Sequence, residues 1–166
     1  IIKGPIGNCE ADERFRGYLD ALKESGIKNI NDFEIDGDFT LNSGYYGFLR
    51  LFNQKVKPEA LFAANDMMGI GVYQAANSLG MTIPDDVAVA GFDDILLSRL
   101  LFPRLTTVHV PIAELASKSV QYLIRMINEE VQLDKEYKHI LKTGLVIGGS
   151  CGCKMNDRTD LLSFNK

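Results

Sequence analysis

An arginine, an aromatic ring, a carboxamide and a carboxylate occur in this sequence at successive places where the chain passes from a strand into a helix. Asn8, Glu10 and Arg14 follow the first apolar stretch, Phe39 the second, Asn65 and Asp66 the third, and Asp93 and Asp94 the fourth. In an open parallel sheet such junctions line one edge, and ligands sit in the crevice outside the carboxyl ends of the strands. An aspartate there accepts hydrogen bonds from hydroxyl or N–H groups, and an arginine donates a planar fork. An asparagine does both, and a phenylalanine offers a flat apolar face. A sugar has these needs, with polar edges and an apolar ring face. A purine or another flat heterocycle can use the same set.

Each residue also has a use that involves no ligand. Arg14, in the first turns of a helix, reads equally well as a solvated charge. Asp66 reads first as a helix cap, and Asp94 as a solvent-facing turn former. Phe39 can be core, and Asn65 and Asp93 can satisfy loop backbone. What favours a binding site is that all of them fall on one edge of one sheet.

The elements that must position these residues alternate regularly. Ile1-Ile2 is the end of a strand, broken by Gly4-Pro5. Phe15, Tyr18, Leu19 and Leu22 predict a helix over about Ala11–Ser25, closed by Gly26. A short strand follows at Phe33–Ile35, then a turn at Gly37–Phe39. The next helix, capped by Ser43, carries Tyr46, Phe48, Leu49 and Phe52. Ala60–Ala64 is continuously apolar, as a buried parallel strand is. Asp66 opens a helix that runs to Leu79 and ends at Gly80, and Val87–Gly91 is another buried strand. This alternation predicts an α/β fold, a parallel sheet with helices on both faces. The pattern changes after Pro103. Leu105–Val110 is extended, and Pro111 opens an amphipathic helix over Ile112–Ile127. Charged residues from Glu129 to Lys138 make a surface connection, and a last strand at Leu145–Ile147 runs into Gly148-Gly149. The chain leaves the first sheet near Val108, adds elements to a neighbouring one and returns near Thr143.

Composition narrows the function classes. With 46% hydrophobic and 24% charged residues the chain is ordinary for a globular protein. No apolar run approaches the roughly 20 residues needed to cross a bilayer. The net charge is −4, and Lys55, Lys57, Arg99, Arg104, Lys135 and Lys138 form no stripe. Nucleic-acid binding needs such a patch, so any DNA contact belongs to a part outside this sequence. Cys9, Cys151 and Cys153 make an odd count. Cys151-Gly-Cys153 is too tightly spaced for an easy mutual disulfide, and no second pair completes a zinc site. Reduced thiols in a cytoplasmic protein are the expectation. A chain that opens inside an apolar strand-like segment, without Met, reads as a fragment.

Catalysis finds little support. His109 and His139 are the only histidines, and both are expected on extended segments remote from the sheet edge. There is no phosphate-cradling loop or paired-histidine spacing, and Gly69-x-Gly71 lies inside a helix. Neither an enzyme, a cofactor nor a metal site is expected.

Longer motifs carry a resemblance. Pro58-Glu-Ala-Leu-Phe-Ala-Ala-Asn-Asp-Met-Met-Gly-Ile-Gly71 resembles the strand-Asn-Asp-helix segment of the lactose/galactose repressor (LacI/GalR) family. Ile83-Pro-Asp-Asp-Val-Ala-Val-Ala-Gly-Phe-Asp-Asp94 resembles that family's next strand, and Pro103-Arg-Leu-Thr-Thr-Val108 its crossing strand between lobes. Gly4-Pro5 with Arg14-Phe-Arg-Gly-Tyr18 resembles the opening of its C-terminal lobe. The match runs in order from residue 1 to about residue 152.

The resemblance implies a periplasmic-binding-protein-like fold whose two lobes close on an effector. It divides the chain into a C-terminal lobe (1–108), a segment of the N-terminal lobe (109–142), a return (143–152) and a tail (153–166). By position it makes Arg14, Asn65 and Asp93 effector contacts and puts Phe39 where an aromatic ring packs on the ligand. Asn8 falls at a specificity position where a purine-binding member uses arginine, and its shorter amide favours a sugar. The helix from Asp66 to Leu79 is apolar nearly all round, so it is either fully internal or part of a contact between subunits. The resemblance implies the latter, a symmetric dimer formed with Leu100–Phe102, and points to Met67, Ile70, Tyr73 and Leu101. Two departures stand out. Gly148 replaces the usual arginine, and Ser150-Cys-Gly-Cys153 leads into a tail past the usual end. Such an ending also occurs where a related lobe is joined to other output domains. The implied role is the effector-binding, dimerising part of a cytoplasmic DNA-binding regulator, with DNA held by a helix-turn-helix outside this sequence. The alternatives are a periplasmic sugar-binding protein, with a polar outer face on helix 66–79, and a sensor fused to a signalling output.

Overall fold

Ile2, fully buried, pairs in parallel with Ile35 on one side and Ala63 on the other. It thereby starts the sheet from the second residue of the chain. The computed structural model describes residues 1–27, 33–128, 130 and 139–153. The connection from Glu129 to Lys138 and the tail lie almost wholly outside the described residues. The elements are α1 (Cys9–Glu24), α2 (Leu41–Phe52), β1 (Ala60–Phe62), α3 (Asp66–Ser78) and β2 (Ala88–Asp93). A 3-10 turn (Leu96–Leu100), β3 (Thr106–His109), α4 (Ile112–Ile127) and β4 (Gly144–Val146) complete them.

The sheet order is β1-β2-β3-β4. β1 pairs in parallel with β2, and β2 with β3, in the register Asp93↔His109. β4 runs antiparallel to β3, with Val108 opposite Leu145, so the returning strand closes a mixed, mostly parallel sheet. The expected strand at Phe33–Ile35 reduces to the single bridge at Ile35.

Capping explains where the helices begin, and it corrects two expectations. Thr40, not Ser43, caps α2, its hydroxyl accepting the Ser43 N–H. Asn65, not Asp66, caps α3: its carboxamide oxygen accepts the Met68 N–H at 2.9 Å. Either side chain can cap, but the one in extended backbone, here Asn65 at φ −150°, is the one whose oxygen reaches the free N–H groups. Asn8 caps α1 in the same way through Ala11 N–H. Gly26 and Gly80, both at positive φ, end α1 and α3 as their positions predicted.

α2 and α3 pack backbone to backbone. A Cβ on Gly44 would land in the Met68 backbone, and one on Gly71 would land in the Leu41 carbonyl. Hydrogen at these two positions permits the approach. The core then gathers Ile2, Phe48, Leu51, Leu61, Met68, Val72, Val87, Val89 and Leu105. Phe48 and Phe52 stack with ring centroids 4.2 Å apart, whereas Tyr46, expected on the buried face, is 67% exposed. α4 differs from every other helix: it is strongly amphipathic, yet none of its residues is buried. Ile112, Val120, Leu123, Ile124 and Ile127 all face outward.

Candidate ligand site on the carboxyl edge of the sheet

Arg14, from the second turn of α1, reaches across the carboxyl ends of the strands. One Nη donates to the Ala64 carbonyl at 2.8 Å, just past β1. Its other Nη lies 3.7 Å from Asp93 Oδ1 at the end of β2. That distance pairs the charges without forming a tight hydrogen bond, so both groups keep bonding directions for a third partner. The guanidinium also stacks 4.0 Å over the Phe92 ring and 5.5 Å from the Phe39 ring. With 16% of its side chain exposed, Arg14 is a held group and not a solvated one.

Asn65 has two duties besides capping α3's first turn. Its Nδ2 donates to the Phe39 carbonyl at 3.0 Å, tying the turn before α2 to the end of β1. Phe39 itself is half-buried with φ +66°, and its ring rests against Gly4, where a Cβ would collide with it. Asn8 stands at the first turn of α1 with its oxygen committed to the cap. Arg14, Asn65, Phe39 and Asp93 are thus joined by direct contacts, while Asn8 lies on the same edge at its α1 end.

The loop after β2 departs from the sequence-based reading. Asp94 is not a solvent-facing turn residue: its carboxylate is 5% exposed and collects three cationic or N–H partners. Arg99 Nη2 donates at 2.8 Å, Arg104 Nη2 at 3.3 Å, and His109 Nδ1 at 3.0 Å. A carboxylate only accepts, so His109 carries its proton on Nδ1 in this pair. His109 is therefore not remote from the edge. It sits beside Asp93 in the strand register. His139 does lie elsewhere, beside Leu115 and Tyr122 of α4. Asp66 is buried as well, accepting the Ile95 N–H at 3.0 Å and the Thr107 hydroxyl at 2.6 Å.

Among the described residues three that are not glycine have positive φ: Phe39 at 66°, Asp93 at 120° and Asp94 at 57°. All three lie on this edge. Such conformations cost on the order of 1–3 kcal/mol each and persist where surrounding contacts enforce them, chiefly at binding and catalytic sites. Electrostatics add a second cost. Burial pushes Asp93 up to about 6, against the pull of Arg14 and with further upward pressure from Asp66 and Glu10. Burial also raises Asp66, partly offset by its bonds from Thr107, Ser98 and Ile95.

Phe92 and His109 were missed by reasoning on strand-to-helix junctions, and Asp94 was named there but read as solvent-facing. The signal for His109 was its place four residues after Leu105, at the end of an extended run. The residues expected at a subunit contact occupy the outer side of α3 and the segment after the 3-10 turn. Met67, Ile70, Tyr73 and Leu101 are each half-buried. Tyr73 donates its hydroxyl to the Pro103 carbonyl at 2.8 Å, and Leu101 packs on the core. The exposed apolar groups nearby are instead Leu96, Leu97, Leu100 and Phe102. Among the described residues no cluster of His, Cys, Asp or Glu is arranged to hold a metal ion, and no helix is long and apolar enough to cross a membrane.

Residues 2–151 match the model of the periplasmic binding protein-like domain. The ribose operon repressor of Escherichia coli is 38% identical over 128 residues, 77% of this chain and 39% of that protein. The transcriptional repressor PurR of Photorhabdus laumondii is 35% identical over 151 residues, covering 89% of this chain and 44% of that one. A sugar-binding transcriptional regulator of the LacI family from Escherichia coli, solved in complex with phosphate, superposes with TM-score 0.75 at 32% identity. That alignment covers 90% of this chain and 52% of the solved one. The chain thus spans about two-fifths of the length of the curated relatives it matches. It belongs to the periplasmic binding protein-like family, in the form carried by LacI-family transcriptional regulators.

Proposed function

We propose that this chain senses a small polar effector, a sugar, for a LacI-family transcriptional regulator, and performs no reaction on it. The carrying observation is the concentration of left-handed backbone at Phe39, Asp93 and Asp94 around a half-open Arg14–Asp93 pair. In this reading Asp93 accepts ligand hydroxyls and Arg14 donates to ring or hydroxyl oxygens. Asn65 offers its second amide hydrogen, and Phe39 supplies the apolar face. Asn8 contributes the free half of its carboxamide at the α1 end of the crevice.

The sugar reading is supported by the similarity to the ribose operon repressor and to the sugar-binding regulator, while the flat Phe39 face also suits a heterocycle. The short neutral Asn8 favours the sugar. In the same proposal the regulator is a cytoplasmic homodimer. Its contact uses the outer side of α3 (Met67, Ile70, Tyr73) with Leu101, extended by the bare Leu96, Leu97, Leu100 and Phe102. DNA is held by a helix-turn-helix outside this sequence. Residues 1–108 and 143–152 form one lobe, and 109–142 belong to the other.

The test is thermal unfolding of the intact regulator with ribose, other sugars and hypoxanthine. A sugar should raise the melting temperature of the wild type, and Asp93→Ala should abolish that rise while leaving the fold intact. An unchanged rise in the variant removes Asp93 from the site. A rise with hypoxanthine alone replaces sugar by purine.

A further inference from the structure

The Arg14 guanidinium makes full contact with a carbonyl and a ring, yet stops short of the carboxylate that carries the opposite charge. Nη1 donates to the Ala64 carbonyl at 2.8 Å, and the Phe92 ring centroid lies 4.0 Å from the guanidinium carbon. Nη2 stands 3.7 Å from Asp93 Oδ1. An arginine free to meet a carboxylate closes to about 2.8 Å with paired N–H bonds. Both side chains are shielded from water, 16% and 23% exposed, which strengthens their attraction. The gap therefore has to be held.

Phe92 is placed to hold it. Strand side chains alternate between the two faces of a sheet. In β2 Val89 joins the core, and a Cβ on Gly91 would meet the Asp66 and Leu105 side chains, so this set faces α3. Phe92, with Ala88 and Ala90, lies on the other face, where Arg14 of α1 covers it. The ring belongs neither to the buried core nor to the half-buried apolar groups packed against that core. An aromatic face attracts a cation through its quadrupole and takes none of its hydrogens. It thus fixes the plane of the guanidinium while leaving the N–H groups to other acceptors.

Building on the effector reading of this edge, we propose that Phe92 is a positioning residue for the candidate ligand site, its ring holding the Arg14 guanidinium off Asp93 and so keeping both groups open to the hydroxyls of a ligand. With the ring removed, Arg14 closes onto Asp93, and each group spends on the other the bonding directions a ligand would use. Closure also favours the ionised carboxylate. Burial pushes Asp93 up to about 6 against the pull of Arg14, and a tighter pair strengthens that pull. The other charged groups around Asp93 are Glu10 of α1, Asp66 of α3 and, across the strand register, His109, whose Nδ1 bonds Asp94. Arg14 is the one stacked on Phe92, so a change in Asp93 on replacing the ring reports on the guanidinium.

The test compares Phe92→Leu and Phe92→Ile, apolar but without a ring, with Phe92→Tyr, which keeps one, all in the intact regulator. Asp93 is titrated without effector by NMR of isotope-labelled aspartate carboxyls, its signal identified by its loss in Asp93→Asn. In the two ring-free variants it should titrate about one pH unit lower than in the wild type, and Phe92→Tyr should restore the wild-type value. Ribose affinity, measured by calorimetry at neutral pH, should fall roughly tenfold in the ring-free variants and recover in Phe92→Tyr. Circular dichroism checks the fold, and either ring-free variant suffices. A ring that merely fills space would leave Asp93 titrating as in the wild type, and that result overturns the proposal. So does a Phe92→Tyr protein that behaves like Phe92→Leu. A wild type that binds no sugar overturns the effector reading instead, while the titration still decides whether the ring holds the pair apart.

Discussion

The Thr107 hydroxyl donates to Asp66 Oδ1 at 2.6 Å, with both side chains buried, and so ties β3 to the first turn of α3. Asp66 Oδ2 holds the Ile95 N–H, which fixes the loop carrying Asp93 and Asp94. Asp66→Ala leaves two buried donors unpaired and should cost about 2–4 kcal/mol of stability. Adding Thr107→Val removes one of those orphans. A double-mutant cycle by urea unfolding should therefore show coupling of roughly 1 kcal/mol or more; additive losses would mean the bond is energetically idle.

With Asp93 as the proposed effector contact, stability and effector affinity should respond oppositely to pH. Its folded pKa of about 6 lies above the ordinary value of 3.8. The folded chain thus holds this proton over a range where the unfolded chain has lost it. Its contribution to stability is complete below the unfolded value and is lost as pH rises through about 6. An effector whose hydroxyls donate to the carboxylate selects the ionised form, so affinity should fall as pH drops below about 6. Calorimetric titrations between roughly pH 5 and 8 should show proton release on binding at the acid end. Asp93→Asn should stabilise the unliganded protein at neutral pH by on the order of 1–2 kcal/mol while destroying binding, and a flat affinity profile in the wild type would contradict the assignment.

The α2–α3 contact admits no side chain at Gly71. Gly71→Ala should force the helices apart and cost about 3 kcal/mol, seen as a lowered denaturant midpoint. Gly17→Ala on α1, where a Cβ meets nothing, is the matched control and should be neutral or mildly stabilising.

Two single changes probe the proposed subunit contact. Ile70→Asp places a charge on the outer side of α3, and Leu100→Asp places one on a side chain 75% exposed in the single chain. Both should shift the intact regulator to monomers in sedimentation velocity without loss of helical content. A dimer unaffected by either change would locate the contact elsewhere.

Much of this was legible in the residues, because strand apolarity and helix punctuation are local properties. Gly80 after α3 and the buried run around Leu61 are examples. The wedge of Ile2 between Ile35 and Ala63 was only partly so, since a bridge of one residue leaves no periodic pattern. Asn65 and Asp66 were assigned each other's work. Adjacent capping residues differ by a backbone angle that composition does not encode. Asp94 was misread for a related reason: what buries it are Arg99, Arg104 and His109, which lie 5, 10 and 15 positions away and converge only in the fold.

The left-handed backbone at Asp93 and Asp94 sets the alphabet of the site ahead of any ligand. Asparagine, aspartate and glycine enter that conformation cheaply, while β-branched and bulky residues are nearly barred from it. Drift of the proposed site toward a new effector should thereby be channelled. The carboxylate end can interchange acid and amide, and little else. Novelty must come from Arg14, where the helical backbone is indifferent to the side chain, and from Asn8 within the few residue types that can cap α1. A library built for altered recognition should spend its diversity there, and should expect β-branched and bulky substitutions at Asp93 to be lost during folding before any effector is tested.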